Sequence, residues 1–166
     1  MTLGLSLENF TIVHVVLSLV GIASGFVVLF GLLADRRLDG WTALFLSSTV
    51  LTSVTGYGFP VDRVLPSHVV GTLSLLVLGV AILARYRFRM AGRWRRAYVI
   101  CAAVALYFNV FVGVVQSFLR VPALKAMAPQ QNEPPFLIAQ GLVLVLFLGL
   151  GALATARYRG DRADVA

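Results

Sequence analysis

Long apolar stretches without Asp, Glu, Lys or Arg occupy most of this chain. Five of them occur, at residues 10–34, 41–58, 67–84, 97–119 and 135–156. A helix needs about 20 mostly apolar residues to cross the hydrocarbon layer of a bilayer, which is about 30 Å thick. The pattern therefore predicts an all-α integral membrane protein, with five transmembrane helices in a single membrane domain that covers residues 1–166.

The longest connection, between the fourth and fifth stretches, carries Val121, Leu124 and Met127 at helical spacing. This spacing is typical of a short amphipathic helix that lies on the membrane surface. An ordered linker is the alternative interpretation of the same segment.

The composition agrees with a membrane protein. Of the 166 residues, 59% are hydrophobic and 13% are charged, whereas a soluble domain carries about 25% charged residues. The single cysteine, Cys101, excludes an intrachain disulfide framework. Soluble globular proteins, disordered chains and disulfide-built secreted modules are thereby excluded.

Basic residues are concentrated in alternate connections between the five stretches. Eleven lie in three segments: after the first stretch, between the third and the fourth, and after the fifth. Arg63, Arg120 and Lys125 lie in the remaining connections. Because connections rich in Lys and Arg stay in the cytoplasm, the charges predict a periplasmic N-terminus and a cytoplasmic C-terminus. The net charge of +7 is explained by this topology, so we expect a lipid bilayer and no nucleic acid as partner.

An internal repeat appears when the chain is shifted by 54 residues. The shift superposes the His-Val-Val triplet at 14–16 on the triplet at 68–70, and Gly25 on Gly79. Parallel repeats of this kind are common in membrane proteins that bind a ligand. The match predicts two related helical hairpins followed by a fifth helix, with both histidines towards the outer side of the membrane.

His14 and His68 are the two histidines of the chain, and both lie in predicted spans. Ionisable residues within spans often mark functional sites. A face of small residues follows each one at helical spacing: Ser18, Gly21 and Gly25 after His14, and Thr72 and Gly79 after His68. Two histidines can ligate a haem iron axially. We therefore expect a b-type haem with His14 and His68 as axial ligands and with Ser18 and Thr72 in the same cofactor site.

Three side-chain amides lie in the last two predicted spans. Gln116 and Gln140 are expected at the depth of the histidines, and Asn109 lies deeper. These amides either complete the cofactor-binding site or line a path for a small solute. Hydrogen-bonded packing between helices is the structural alternative for all of these polar residues.

Sequence motifs of common enzymes are missing. The chain has no Walker loop, no GxSxG, no HExxH and no paired acids in its spans. No catalytic residue is predicted, and whether the protein is an enzyme stays open.

Four segments resemble a family of small bacterial inner-membrane proteins. They are residues 38–46 (LDGWTALFL), 55–60 (TGYGFP), 121–125 (VPALK) and 133–136 (EPPF). The resemblance covers most of the chain and implies a location in the bacterial inner membrane. It implies no mechanism.

Three functions are therefore compatible with the sequence. The first is electron transfer through a haem or quinone bound at the outer polar site. The second is a small-solute permease or channel subunit, and the third is a non-catalytic accessory subunit of a larger membrane complex.

Overall fold

The computed structural model describes residues 6–60 and 66–160, which form helices joined by short connections without any strand. Arg63 and Arg162, which belong to the charge pattern above, lie outside these ranges. The helices are α1 (Leu7–Leu33), α2 (Asp39–Gly56), α3 (Pro66–Ile82, continued by a π-helical turn, Leu83–Arg87), α4 (Arg93–Arg120), α5 (Pro122–Met127) and α6 (Pro134–Arg157).

Four helices within the described residues are long and apolar enough to cross a membrane. They are Leu7–Leu33, Ser67–Arg87, Arg93–Arg120 and Pro134–Arg157. These helices correspond to the first, third, fourth and fifth predicted spans, so the prediction of an all-helical membrane protein is confirmed. α2 coincides with the second predicted span but is less apolar, because seven of its 18 residues are Ser or Thr and its first residue is Asp39.

Local sequence explains where α1, α5 and α6 begin. The Ser6 hydroxyl accepts a hydrogen bond from the backbone N–H of Asn9 and caps α1. Proline stands in the first turn of α5 and of α6, where a missing N–H costs nothing. The connection between α4 and α6 contains the short helix α5, and its position on the membrane surface stays a prediction.

α4 is the central helix and packs against α1, α3 and α6, while α2 packs between α1 and α3. The main core includes Leu29, Phe45, Leu78 and Leu106, all nearly inaccessible. α6 packs mainly through Phe147 and Ala154 and exposes a broad apolar face. A soluble protein rarely exposes so large an apolar face, and lipid tails match it.

Arg85 forms a buried polar cluster at the basic end of the bundle. Its side chain is only 3% exposed and its guanidinium pairs with Asp39 of α2. The same guanidinium lies 5.2 Å from the ring centroid of Tyr98, which is fully buried in α4. The Tyr98 hydroxyl is 3.3 Å from the Thr42 hydroxyl. This cluster joins α2, the π-helical turn and α4. The charge pattern of the sequence predicts a cytoplasmic position for Arg85 and gives no sign of its burial.

Replacing Asp39 by Asn should leave the buried Arg85 guanidinium without its counter-charge. We expect the free energy of unfolding to fall by about 1–3 kcal/mol, less than for a fully buried pair because water reaches Asp39. Thermal unfolding in detergent measures the change. Arg37→Gln is the control, since the Arg37–Asp39 pair is exposed on both sides and should contribute under about 1 kcal/mol.

The interactions of the Asp39 carboxylate with Arg37 and Arg85 also predict that the stability of the fold depends on pH. The hydrogen bond from Arg37, assisted by the charge of Arg85, lowers the pKa of Asp39, which precedes the predicted span 41–58. A carboxyl whose folded pKa is lowered stabilises the fold above its unfolded pKa of about 3.9 and loses that contribution as the pH falls through the folded pKa. The unfolding temperature should therefore drop below about pH 4, and Asp39→Asn should reduce that drop. If the unfolding temperature of Asp39→Asn depended on pH as that of the wild type does, the role given to the Asp39 carboxylate would be contradicted.

Candidate functional site

His14 contacts the end of α2. Its Nδ1 lies 2.8 Å from the Thr55 hydroxyl oxygen, and its ring meets that of Phe59 edge to face at 5.2 Å. The Thr55 hydroxyl donates to the carbonyl of Leu51 at 2.7 Å, so it accepts a hydrogen bond from Nδ1 of His14. In a neutral ring with this tautomer, Nε2 carries no proton and can accept a hydrogen bond or ligate a metal.

His68 contacts a different part of the same segment. The Tyr57 ring stacks on its imidazole with 5.3 Å between centroids. The Tyr57 hydroxyl donates to the carbonyl of His68 at 3.0 Å and lies 2.6 Å from the Thr72 hydroxyl. Tyr57 therefore joins the end of α2 to the start of α3.

The two histidines lie against different sides of α2. Residues two apart on a helix differ in direction by about 200°, and α2 packs between α1 and α3. His14 thus contacts Thr55 and Phe59, whereas His68 stacks on Tyr57.

The small-residue face of α1 is filled by neighbouring helices. A Cβ atom added to Gly25 would lie 2.5 Å from Leu106 Cδ1 and 2.9 Å from the Phe45 ring. Ser18 donates to the carbonyl of His14 at 2.8 Å and so satisfies itself on its own helix. A porphyrin does not fit against this face, because side chains of α2 and α4 occupy the space. Within the described residues, no group of three or more His, Cys, Asp or Glu could hold a metal ion.

A polar cluster lies deeper in the bundle, around Gly21. A Cβ atom added to Gly21 would lie 2.8 Å from Asn109 Nδ2, 3.0 Å from the Thr49 hydroxyl and 3.3 Å from the Ser48 hydroxyl. Thr52 follows Thr49 by three residues, about one turn along α2. We call these five residues, Gly21, Ser48, Thr49, Thr52 and Asn109, the mid-span cluster.

Three atoms of the mid-span cluster are buried without a hydrogen-bond partner. They are Asn109 Nδ2, Thr49 Oγ1 and Thr52 Oγ1. Asn109 is 8% exposed and Thr49 is 1% exposed. A buried polar group without a partner costs about 1–3 kcal/mol. In the described conformation these side chains pack closely around Gly21, so a hydrogen-bonding molecule would need them to move apart before it could be stabilised here. No side chain of the cluster is charged, which favours an uncharged ligand.

The two glutamines of the predicted site lie elsewhere. Gln116 is exposed near the end of α4 and accepts a hydrogen bond from Arg120 Nε at 3.1 Å. Gln140 donates to the carbonyl of Phe111 at 3.2 Å and joins α6 to α4, while its Oε1 is buried without a partner. Asn109 alone of the three amides belongs to the mid-span cluster.

Thr49 is the residue that the sequence analysis missed. It lies on α2 beside Ser48, on the side that faces Gly21 of α1. The available signal was the high Ser and Thr content of the second predicted span, since polar residues in a span are expected to face other helices. The spacing could not show that this hydroxyl has no partner on its own helix.

Comparisons of the chain with family models, with curated proteins and with solved structures find no match. The candidate site therefore rests on geometry.

Close packing at Gly25 can be tested with one methyl group. Gly25→Ala should lower the free energy of unfolding by about 1–3 kcal/mol, because Leu106 and Phe45 must move. The matched control is Gly149→Ala in α6, where nothing lies within 4 Å of the added Cβ and helix propensity favours Ala by about 1 kcal/mol. Thermal unfolding in detergent should separate the two variants, and equal stability would contradict the filled face.

Proposed function

We propose that this chain is a five-span protein of the bacterial inner membrane, with its N-terminus in the periplasm, and that it is a permease or channel subunit for a small uncharged polar solute. The observation that carries the function is the set of unpartnered buried atoms in the mid-span cluster. The proposal corresponds to the second of the functions that the sequence left open.

Helix α2 is proposed as the fifth span because it runs the whole length of α3. At one end Asp39 pairs with Arg85, and at the other end Tyr57 meets His68 and Thr72. The 17 residues of α2 that follow Asp39 measure about 25 Å, close to the hydrocarbon thickness of about 30 Å. Its Ser and Thr hydroxyls face neighbouring helices or bond to carbonyls of α2 itself, as Ser48 and Thr55 do.

The repeat of two hairpins is supported by the positions of helix ends. α1 ends at Leu33 and the π-helical turn ends at Arg87, 54 residues later. α2 begins at Asp39 and α4 begins at Arg93, again 54 residues later. This is the shift that aligns His14 with His68. We propose that the first four spans are two copies of one hairpin unit.

The proposed orientation follows from the eleven basic residues on one side against three on the other, and the resemblance to small bacterial inner-membrane proteins supports the location. A reporter that is active only in the cytoplasm should be active when fused at Ala166 and inactive when inserted near Gln130. A periplasmic reporter should give the opposite pattern. Periplasmic activity at Ala166 would overturn the orientation.

The proposed path follows the interface of α1, α2 and α4. His14 and Thr55 lie at one end, the mid-span cluster lies inside, and the Thr42–Tyr98 pair lies towards the basic end. Phe45 and Leu106 meet at Gly25 between the cluster and that pair. These two side chains would close the path in the described conformation, and their displacement would open it.

Variants of nearly equal volume in the mid-span cluster distinguish a role in permeation from a role in helix packing, because the first predicts a change in flux and the second a change in stability. Thr49→Val and Asn109→Leu remove the unpartnered polar atoms, so stability should be unchanged or rise. Flux of an uncharged solute should fall about five- to tenfold, as expected for the loss of about 1 kcal/mol of hydrogen bonding. Stopped-flow measurements on proteoliposomes with water, urea and glycerol provide the readout.

The matched control is Gln116→Leu, which removes an exposed amide outside the cluster and should leave the flux unchanged. Flux equal to that of protein-free liposomes for all three solutes would overturn the proposal. A large loss of stability in Thr49→Val with unchanged flux would assign the cluster to helix packing instead.

Electron transfer through a haem or quinone stays a prediction. Side chains of α2 and α4 fill the space beside Gly21 and Gly25, so this face of α1 gives it no support. An accessory role in a larger membrane complex also stays a prediction, because lipid alone accounts for the exposed apolar face of α6.

A further inference from the structure

A basic pocket lies at the opposite end of the bundle from the histidines. It has a volume of about 420 Å³ and is formed where the start of α4 meets the end of α6. Its lining residues are Arg95, Arg96, Thr155, Ala156, Tyr158 and Arg159. This pocket has no part in the proposed solute path.

Hydrogen bonds hold the walls of the pocket in place. Arg95 donates through one terminal nitrogen to the carbonyl of Arg159. The Asp35 carboxylate accepts hydrogen bonds from the backbone N–H groups of Arg159 and Gly160, at 2.7 and 3.1 Å. The segment after α6 is thereby tied to both α4 and the α1–α2 connection, so the Arg95 side chain and the backbone at Arg159 are held in place.

The electrostatics of the pocket favour an anion. The first turn of α4 contains Arg93, Arg95 and Arg96, with no acidic residue and no side-chain cap. Positive charges at a helix N-terminus are unfavourable, because the helix dipole is positive there. Arg95 Nε is moreover buried without a hydrogen-bond partner. Among the described residues, the two ion pairs involve Arg37 and Arg85 and neither Arg95 nor Arg96.

We propose that this pocket binds the phosphate group of an anionic membrane lipid. Guanidinium groups bind phosphate oxygens through paired hydrogen bonds, and the exposed guanidinium groups of Arg96 and Arg159 line the pocket. The pocket lies at the end of α6, where Leu148 and Leu153 are exposed and can contact the acyl chains. Basic pockets at the ends of transmembrane helices bind such head groups.

The test uses the full chain purified in a neutral detergent. Phosphatidylglycerol added to the micelles should raise the unfolding temperature by about 3–5 °C at about ten times the dissociation constant. Phosphatidylcholine should raise it much less. The double variant Arg95→Gln/Arg96→Gln should lose most of the difference between the two lipids.

The charge-matched control is Arg36→Gln/Arg89→Gln, two exposed arginines outside the pocket lining, which should keep the full lipid effect. Should the double variant fail to fold, Arg96→Gln alone is tested, since its side chain is exposed, and it should at least halve the shift. An equal loss in the control would show a general charge effect and overturn the site. An equal shift with inorganic phosphate in phosphatidylcholine micelles would assign the pocket to free phosphate and overturn the lipid proposal.

Discussion

Hydrocarbon offers no hydrogen bonds, so polar groups inside a membrane protein must find partners within the chain. Most hydroxyls in these helices follow this rule by donating to the carbonyl one turn back. Ser18, Ser24 and Ser48 do so towards His14, Val20 and Leu44. Thr49, Thr52 and Asn109 depart from the rule, and this departure distinguishes the mid-span cluster from the other polar groups of these helices.

The two ends of α2 are joined to their neighbours by different chemistry. At one end aromatic and imidazole rings meet, with Tyr57 on His68 and Phe59 on His14. At the other end a buried guanidinium pairs with Asp39 beside the ring of Tyr98. Between them, small residues of α1 allow close approach of the helices. Polar groups thus fix the register of the bundle, and apolar packing fills its interior.

Much of the fold could be predicted from the sequence, because long apolar stretches and helical spans share one length scale. The predicted spans exclude charged residues, so the fourth was predicted to begin at Ala97, whereas α4 begins at Arg93. For the same reason the third span was predicted to end at Ala84, whereas a π-helical turn continues to Arg87 and buries the Arg85 side chain. A charged residue ends an apolar stretch, but the backbone can remain helical through it when the side chain has a partner.

The candidate site was less accessible to prediction. Spacing shows which residues share a helix face, and it grouped Gly21 and Gly25, which both lie close to side chains of α2 and α4. It does not show which helix covers that face, so the close approach of Phe45 and Leu106 to Gly25 could not be predicted. The hydroxyl of Thr49 was equally hidden, because a threonine in a helix ordinarily bonds to its own backbone.

The modest hydropathy of α2 has a consequence for biogenesis. A helix with seven Ser and Thr residues and an aspartate at its start gains little from entering lipid alone. α1 is far more apolar and packs along α2 after a connection of only five residues, 34–38. Insertion of the pair as one hairpin hides the hydroxyl face of α2 before it meets the acyl chains. The nascent chain would then leave the translocation machinery two helices at a time, and the order of synthesis would protect this polar helix.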